Sequence, residues 1–373
     1  MAVPPSEKDL KRLEDLKARF REDPENPRTR DDLIEGYTAS GQALTAAELL
    51  RAETDPSDGA WDPLRACAAL FLQGGDAGRA AEALNASGSL HEDRWEFWHL
   101  RGRCLEGLGR IREAMDEQRR AARMAPEEAE PRFRMGLISL ELGEEGVALA
   151  HFQDALERDP GMGRALVNMG LLYDRMGESD RALEMFRRAV ELEPDNLEGH
   201  LNLGVLYAEL GYAQDAAQEF LKAVDLDSRC AEAHFNLGLL REESDPEEAL
   251  QRLRKTLALD AGHREARFQM GRLCYRRGLY PAAIKSLRAC LAADDNDTGA
   301  LFHLALSYNK LDRPDETIRF LEELLKLEPD NAQAHFYLGV AFDKKGDYGN
   351  ARRAYQKADE LARHDEGHAP GVE

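Results

Sequence analysis

The chain is poor in the residues that usually announce an enzyme core, a secreted scaffold or a membrane span. Aromatic residues make up only 7% of it, while 32% is charged and long runs are dominated by Ala, Leu, Glu and Arg. That balance reads as helical. There are five cysteines among 373 residues, an odd number without a CxxC pair. Neither a disulfide framework nor a zinc ribbon fits such spacing. No stretch approaches the roughly eighteen apolar residues of a spanning helix, and the opening MAVPPSEKDLKRLEDLKARF has no apolar core of signal-peptide length. The expectation is a cytoplasmic protein with reduced thiols and no membrane insertion. Basic charge is also short: the formal net charge is −21. Nucleic acid and anionic membranes are therefore poor candidate partners.

What is present is a period. Leu166, Met169, Gly170 and Tyr173, then Ala182, Phe186, Ala189 and Pro194, are followed 34 residues later by His200, Leu203, Gly204 and Tyr207, then Ala216, Phe220 and Ala223. Trp98, Arg101, Gly102 and Leu105 form another copy. Units begin at residues 95, 129, 163, 197, 231, 264, 298 and 332, and two degenerate units begin at 27 and 61. Nine units of 34 residues and one of 33 span 27 to 365, which leaves no room for a catalytic domain. Residues 1–26 are expected to form an N-terminal capping helix opened by Ser6 and Asp9, residues 27–94 two degenerate pairs, 95–365 eight regular pairs, and 366–373 a short polar tail.

Glycine inside a helix costs roughly 1 kcal/mol relative to alanine, so its return at Gly102, Gly136, Gly170, Gly204, Gly238, Gly271 and Gly339 implies close helix approach. The small residue at unit position 20 (Ala148, Ala182, Ala216, Ala283, Ala351) is expected to face it from the second helix. Unit positions 21 and 28, apolar inside the array, become Arg352 and Asp359 in the last unit. A polar outer face is what a terminal repeat needs.

These spaced positions resemble the tetratricopeptide repeat family over about nine tenths of the chain. The resemblance implies an all-α fold, a right-handed α-solenoid superhelix of about ten helix pairs with an N-terminal capping helix. It also implies a concave groove lined by the first helix of each pair, a scaffold for proteins or peptides, and no single activity. On a helical wheel, positions 4, 7, 8 and 11 of the first helix form the buried face and 2, 6, 9 and 13 the open one.

Asn168, Asn202 and Asn236 occupy position 6 of three successive units. They resemble the asparagine ladder with which some family members grip an extended backbone, since an amide both donates and accepts. Simple tolerance of asparagine on a solvated face is the alternative. Further along, Arg276, Lys310 and Lys344 hold position 13, Arg272 position 9, and Gln269, His303 and Tyr337 position 6. Residues 264–365 carry 17 basic against 16 acidic residues, whereas 1–263 carry 33 against 53. The basic strip is either a seat for an acidic segment or an ordinary solvated face. Phe133, Phe235, Phe268, Phe302 and Phe336 at position 5 either anchor ligand side chains or pack adjacent helices. The clamp with which some family members hold chaperone carboxyl termini has no matching run of three units.

Other motifs carry no chemistry. Cys67, Cys104, Cys274 and Cys290 fall at packing positions, where a thiol serves as a small hydrophobe. His200, His234 and His335 replace Trp98 and Leu166 at position 4 and read as packing residues rather than metal ligands. Gly161 and Gly163 lack the strand a phosphate loop requires, and Asn85-Ala86-Ser87 is a glycosylation sequon without a secretory route. Unit five is a residue short, with Asp245-Pro246 suited to a helix start; the deletion either changes curvature or is neutral. The reading is a non-enzymatic scaffold or adapter, without cofactor or metal, that binds a protein or extended peptide and helps assemble a multiprotein complex. A self-assembling structural protein and a regulatory subunit of an envelope or sugar-transfer complex are the alternatives.

Overall fold

The computed structural model describes residues 7–22, 27–51, 61–87 and 90–366. Among these residues there are twenty-one helices and no strand. They divide into two compact units, Met1–Pro194 and Asp195–Glu373, each an all-α repeat solenoid.

The first unit holds α1 (Glu7–Glu22), α2 (Pro27–Ala39), α3 (Ala43–Arg51), α4 (Trp61–Gln73), α5 (Ala77–Ala86), α6 (Trp95–Gly107), α7 (Ile111–Met124), α8 (Ala129–Glu141), α9 (Glu145–Arg158), α10 (Gly163–Arg175) and α11 (Ser179–Leu192). The second holds α12 (Leu197–Glu209), α13 (Ala213–Leu226), α14 (Ala231–Arg241), α15 (Pro246–Leu259), α16 (Arg264–Arg276), α17 (Tyr280–Leu291), α18 (Thr298–Lys310), α19 (Pro314–Leu327), α20 (Ala332–Lys345) and α21 (Tyr348–Glu366). Within each unit every helix packs against its chain neighbours.

Local chemistry sets the boundaries. Three first helices of the second unit are capped by short polar side chains: Asn196 accepts from the Gly199 N–H at 2.8 Å, Asp297 from Ala300 at 2.8 Å and Asn331 from Ala334 at 2.9 Å. Such a bond satisfies one of the N–H groups a helix start leaves unpaired. The turn into the second helix needs a left-handed residue, supplied for example by Gly177 at φ 75°, where a side chain is disfavoured. Asp312 takes that conformation at φ 56° without being glycine. The short fifth unit turns differently: α15 starts with Pro246 after Asp245, whose carboxylate accepts from the Glu248 N–H at 3.0 Å.

The buried helical glycines make room for a larger residue than the sequence suggests. A Cβ on Gly170 would lie 2.5 Å from Phe186, on Gly136 2.5 Å from Phe152, on Gly204 2.6 Å from Phe220 and on Gly339 2.6 Å from Tyr355. Each partner stands at unit position 24. The expectation that the position-20 alanine faces the glycine is thus corrected: Ala148, Ala182 and Ala216 are fully buried, but the ring one helical turn further on is what meets it. In α6–α7 the same place is taken by Gln118, 2.6 Å from a Cβ on Gly102.

At the ends, Leu13 and Leu16 of α1 bury with Leu33, flanked by Tyr37 and Leu49. Ser6 and residues 367–373 of the expected tail lie outside the described residues, as does the Asp9 side chain. Arg352 and Asp359 are exposed, yet the last pair is not wholly polar: Phe336 is 49% and Tyr348 73% exposed. Phe302, one pair earlier, is covered by Tyr337 of α20 at 5.9 Å; among the described residues no later pair covers Phe336.

Candidate binding face of the first helices

Asn168, Asn202, Asn236, Gln269, His303 and Tyr337 at position 6 are half-buried rather than fully open. Asn168 donates from Nδ2 to the Arg164 carbonyl at 2.7 Å and Asn236 to the Glu232 carbonyl at 3.1 Å. Both bonds run back to the helix's own preceding turn, a common resting place for a short polar side chain. Asn168 belongs to the first unit, and the half-buried Asn202 and Asn236 to the second.

The basic residues of the second unit are largely engaged inside it. Arg272 and Arg276 each reach Glu242, just past the end of α14, at 2.6 Å, and that carboxylate is only 12% exposed. Lys344 donates to the Asn309 carbonyl at 2.7 Å and lies 3.2 Å from Asp312. Lys310 is exposed.

Between α16, α18 and α20 the face becomes aromatic. His303 sits 5.8 Å from Phe268 and 5.9 Å from both Tyr275 and Phe302. Burial, and secondarily the charge of Arg272, push its pKa down, so the ring is neutral at pH 7. Its Nδ1 is buried without a hydrogen-bond partner, as are Gln269 Oε1, Arg272 Nε and Asn309 Oδ1. Phe302 meets Tyr337 at 71°, and Phe336 meets Tyr337 at 5.5 Å and 81°. These rings line an open cavity of about 600 Å³, together with Tyr275, Leu306 and Asp359. The structure thus brings His303 and Tyr337 next to a shared aromatic seat, and it occupies Arg272, Arg276 and Lys344 with carboxylates of the preceding pair. Tyr275 and Asp359 were not candidates from sequence. Tyr275 stands at unit position 12, which the wheel assigns to neither face, and Asp359 belongs to a second helix.

Of the position-5 row, Phe133 is 4% exposed and packs on Phe152 at 5.6 Å. Phe235 packs on His263 at 4.6 Å. Only the last, Phe336, is largely open. In the first unit α6 and α7 meet through polar groups: fully buried Gln118 meets His99 Nδ1 at 3.0 Å and donates to the His99 carbonyl at 3.1 Å. Arg134 lies 3.7 Å from Glu106 and 3.4 Å from Glu130.

The cysteines are buried, and burial pushes Cys67 and Cys290 up to about 11 and Cys104 to about 12. His200 meets Glu219 at 2.6 Å, His234 the Ser228 carbonyl at 3.2 Å and His335 the Pro329 carbonyl at 2.9 Å. Among the described residues no group of His, Cys, Asp and Glu is arranged to hold a metal ion, and no helix is long and apolar enough to cross a membrane.

Comparison with known proteins agrees with the repeat fold. A tetratricopeptide repeat model matches residues 68–129, 167–229 and 302–366, and a second matches 240–306. A curated relative, the chloroplastic tetratricopeptide repeat domain-containing protein PYG7 of Arabidopsis thaliana, is 33% identical over 94 residues, 24% of this chain. The match spans 31% of that relative's length. Human IFIT1, solved as a dimer with m7Gppp-AAAA, shares 16% identity over 95% of this chain and 86% of its own, with a TM-score of 0.51. YrrB, a tetratricopeptide protein described as having an unusual peptide-binding site, shares 22% identity over 49% of this chain and 95% of its own, with a TM-score of 0.45. At such identities the likeness is one of fold.

Proposed function

The chain belongs to the tetratricopeptide repeat family, an interaction scaffold, and from that premise we propose that its first-helix faces hold an extended segment of another protein, recruiting it into a multiprotein complex without catalysis. The observation that carries this reading is the cluster of Phe268, Tyr275 and Phe302 around His303 on one face, beside an open cavity of about 600 Å³. Asn202 and Asn236 extend the same face with amides; Asn168 holds the equivalent register position in the first unit. Tyr337 adds an apolar wall, while Arg276, Lys310 and Lys344 form a rim. The pairing of Arg272 and Arg276 with Glu242 argues against an acidic segment as the preferred ligand. The net charge of −21 favours a protein over a polyanion.

A photocrosslinking amino acid placed at Tyr337, and in a second variant at exposed Lys285 of α17, tests the assignment in the native cell. The expected result is a discrete partner captured from position 337 and not from 285. Equal capture at both positions, or capture only from 285, would move the interaction off the first-helix face.

A further inference from the structure

We propose that the cavity between α18, α20 and α21 receives a basic side chain, lysine or arginine, of the bound segment; this rests on the groove reading above and names the residue type recognised. Its walls are Phe302, Phe336 and Tyr337, set 71° and 81° to one another at centroid separations of 5.9 and 5.5 Å, with Tyr275 alongside. Ring faces carry the negative side of the aromatic quadrupole, and near-perpendicular faces around one space attract a cation from several directions.

Asp359 adds a carboxylate to the same lining, and among the described residues no cation pairs with it. An apolar guest would satisfy the rings but strip water from that carboxylate without replacing it. A lysine or arginine lays its methylenes on the rings and sets its charge at the acid. The chain's own groove cations do not fill the role, because Arg272 and Arg276 hold Glu242 and Lys344 holds Asp312. A volume of about 600 Å³ admits the whole side chain with its flanking backbone.

The test uses the full chain carrying ring-labelled tyrosine and three acetylated, amidated peptides of sequence Ser-Ala-Ser-X-Ser-Ala-Ser, with X lysine, norleucine or glutamate. The Tyr337 signal is identified through Tyr337→Phe. The lysine peptide should shift that signal and bind about tenfold more tightly than the norleucine peptide, the order of a cation–π contact plus an exposed charge pair. That preference should shrink with added salt and fall to about threefold in Asp359→Asn, the share of the cation–π contact alone, while norleucine binding stays unchanged. Asp359 is exposed, so the variant should fold, which circular dichroism checks. Norleucine or glutamate binding as tightly as lysine overturns the proposal, as does a lysine preference undiminished in Asp359→Asn. Capture of a partner at position 337 without any preference for lysine would leave the groove reading standing and remove this one. A dimer by light scattering that Phe336→Asp dissolves would assign the cavity to a second copy and overturn it too.

Discussion

Gly170 and Gly238 occupy the same register position in two pairs, yet alanine should have opposite effects at them. On Gly170 the new Cβ would stand 2.5, 2.7 and 2.9 Å from Cε1, Cδ1 and Cζ of Phe186. That ring is 1% exposed and cannot swing into solvent. Overpacking of this kind costs about 1–3 kcal/mol, against a helix-propensity gain of about 1 kcal/mol, so Gly170→Ala should lose roughly 1 kcal/mol. On Gly238 the nearest atom is Leu253 Cγ at 3.3 Å, followed by Arg252 Cβ and Leu253 Cδ2 at 3.4 Å. A shift of a few tenths of an ångström relieves those contacts. Propensity then prevails, and Gly238→Ala should gain up to about 1 kcal/mol. Urea unfolding followed by helical circular dichroism measures both. Hydrogen exchange of α10–α11 and of α14–α15 localises the change, because stacked repeats need not unfold together. Helix propensity alone predicts the same sign at both sites, so a Gly170→Ala protein as stabilised as Gly238→Ala would refute the packing argument.

Burial holds His99 down at about 4 from an ordinary 6.5; the unfolded chain takes the proton first, so His99 supports stability above about pH 6.5 and loses that contribution as pH falls toward 4. Its ring proton signal in nuclear magnetic resonance should stay unshifted down to about pH 5, and a midpoint near 6.5 would contradict the burial. Gln118→Leu removes both bonds to His99, at 3.0 and 3.1 Å, and should destabilise the first unit by about 1–3 kcal/mol in urea unfolding, with little change in helix content. Asp245→Ala loses the cap on Glu248 at 3.0 Å and should cost about 1 kcal/mol, which Asp245→Asn should largely restore. Cys67, Cys104 and Cys290, buried and with thiols raised to about 11, 12 and 11, should react with a disulfide reagent only in denaturant; prompt labelling of the native protein would show the packing to be looser than described.

The helical repeat was legible because each register position meets the same neighbours, pair after pair: Ala148, Ala182, Ala216 and Ala283 are all fully buried, and Ala351 is 1% exposed. The partner of the helical glycine was not. Unit positions 20 and 24 lie on one face of the second helix, a turn apart. Which of them crosses the glycine depends on how the two helices cross, a quantity no period contains. The exposed Phe336 escaped for a related reason, since its position packs in earlier pairs only because a following pair covers it.

Charge shows the same limit from the other side. The sign of the basic strip was plain in the sequence, but not its occupation. Glu242 precedes Arg272 by 30 residues and Arg276 by 34, and only stacking brings α14 beside α16. The separation of 30 recurs between Arg264 and Asp294 at 2.7 Å, between Lys345 and Asp315 at 2.6 Å, and between Arg277 and Glu247. Partly exposed pairs of this kind contribute about 0–1 kcal/mol each. Their stronger effect is to align one pair on the next and to neutralise the cations that composition would have offered to a ligand. What a partner meets on the second unit is then set less by the count of lysines and arginines than by which groups the stack leaves over: the rings of Phe302, Phe336 and Tyr337 and the carboxylate of Asp359.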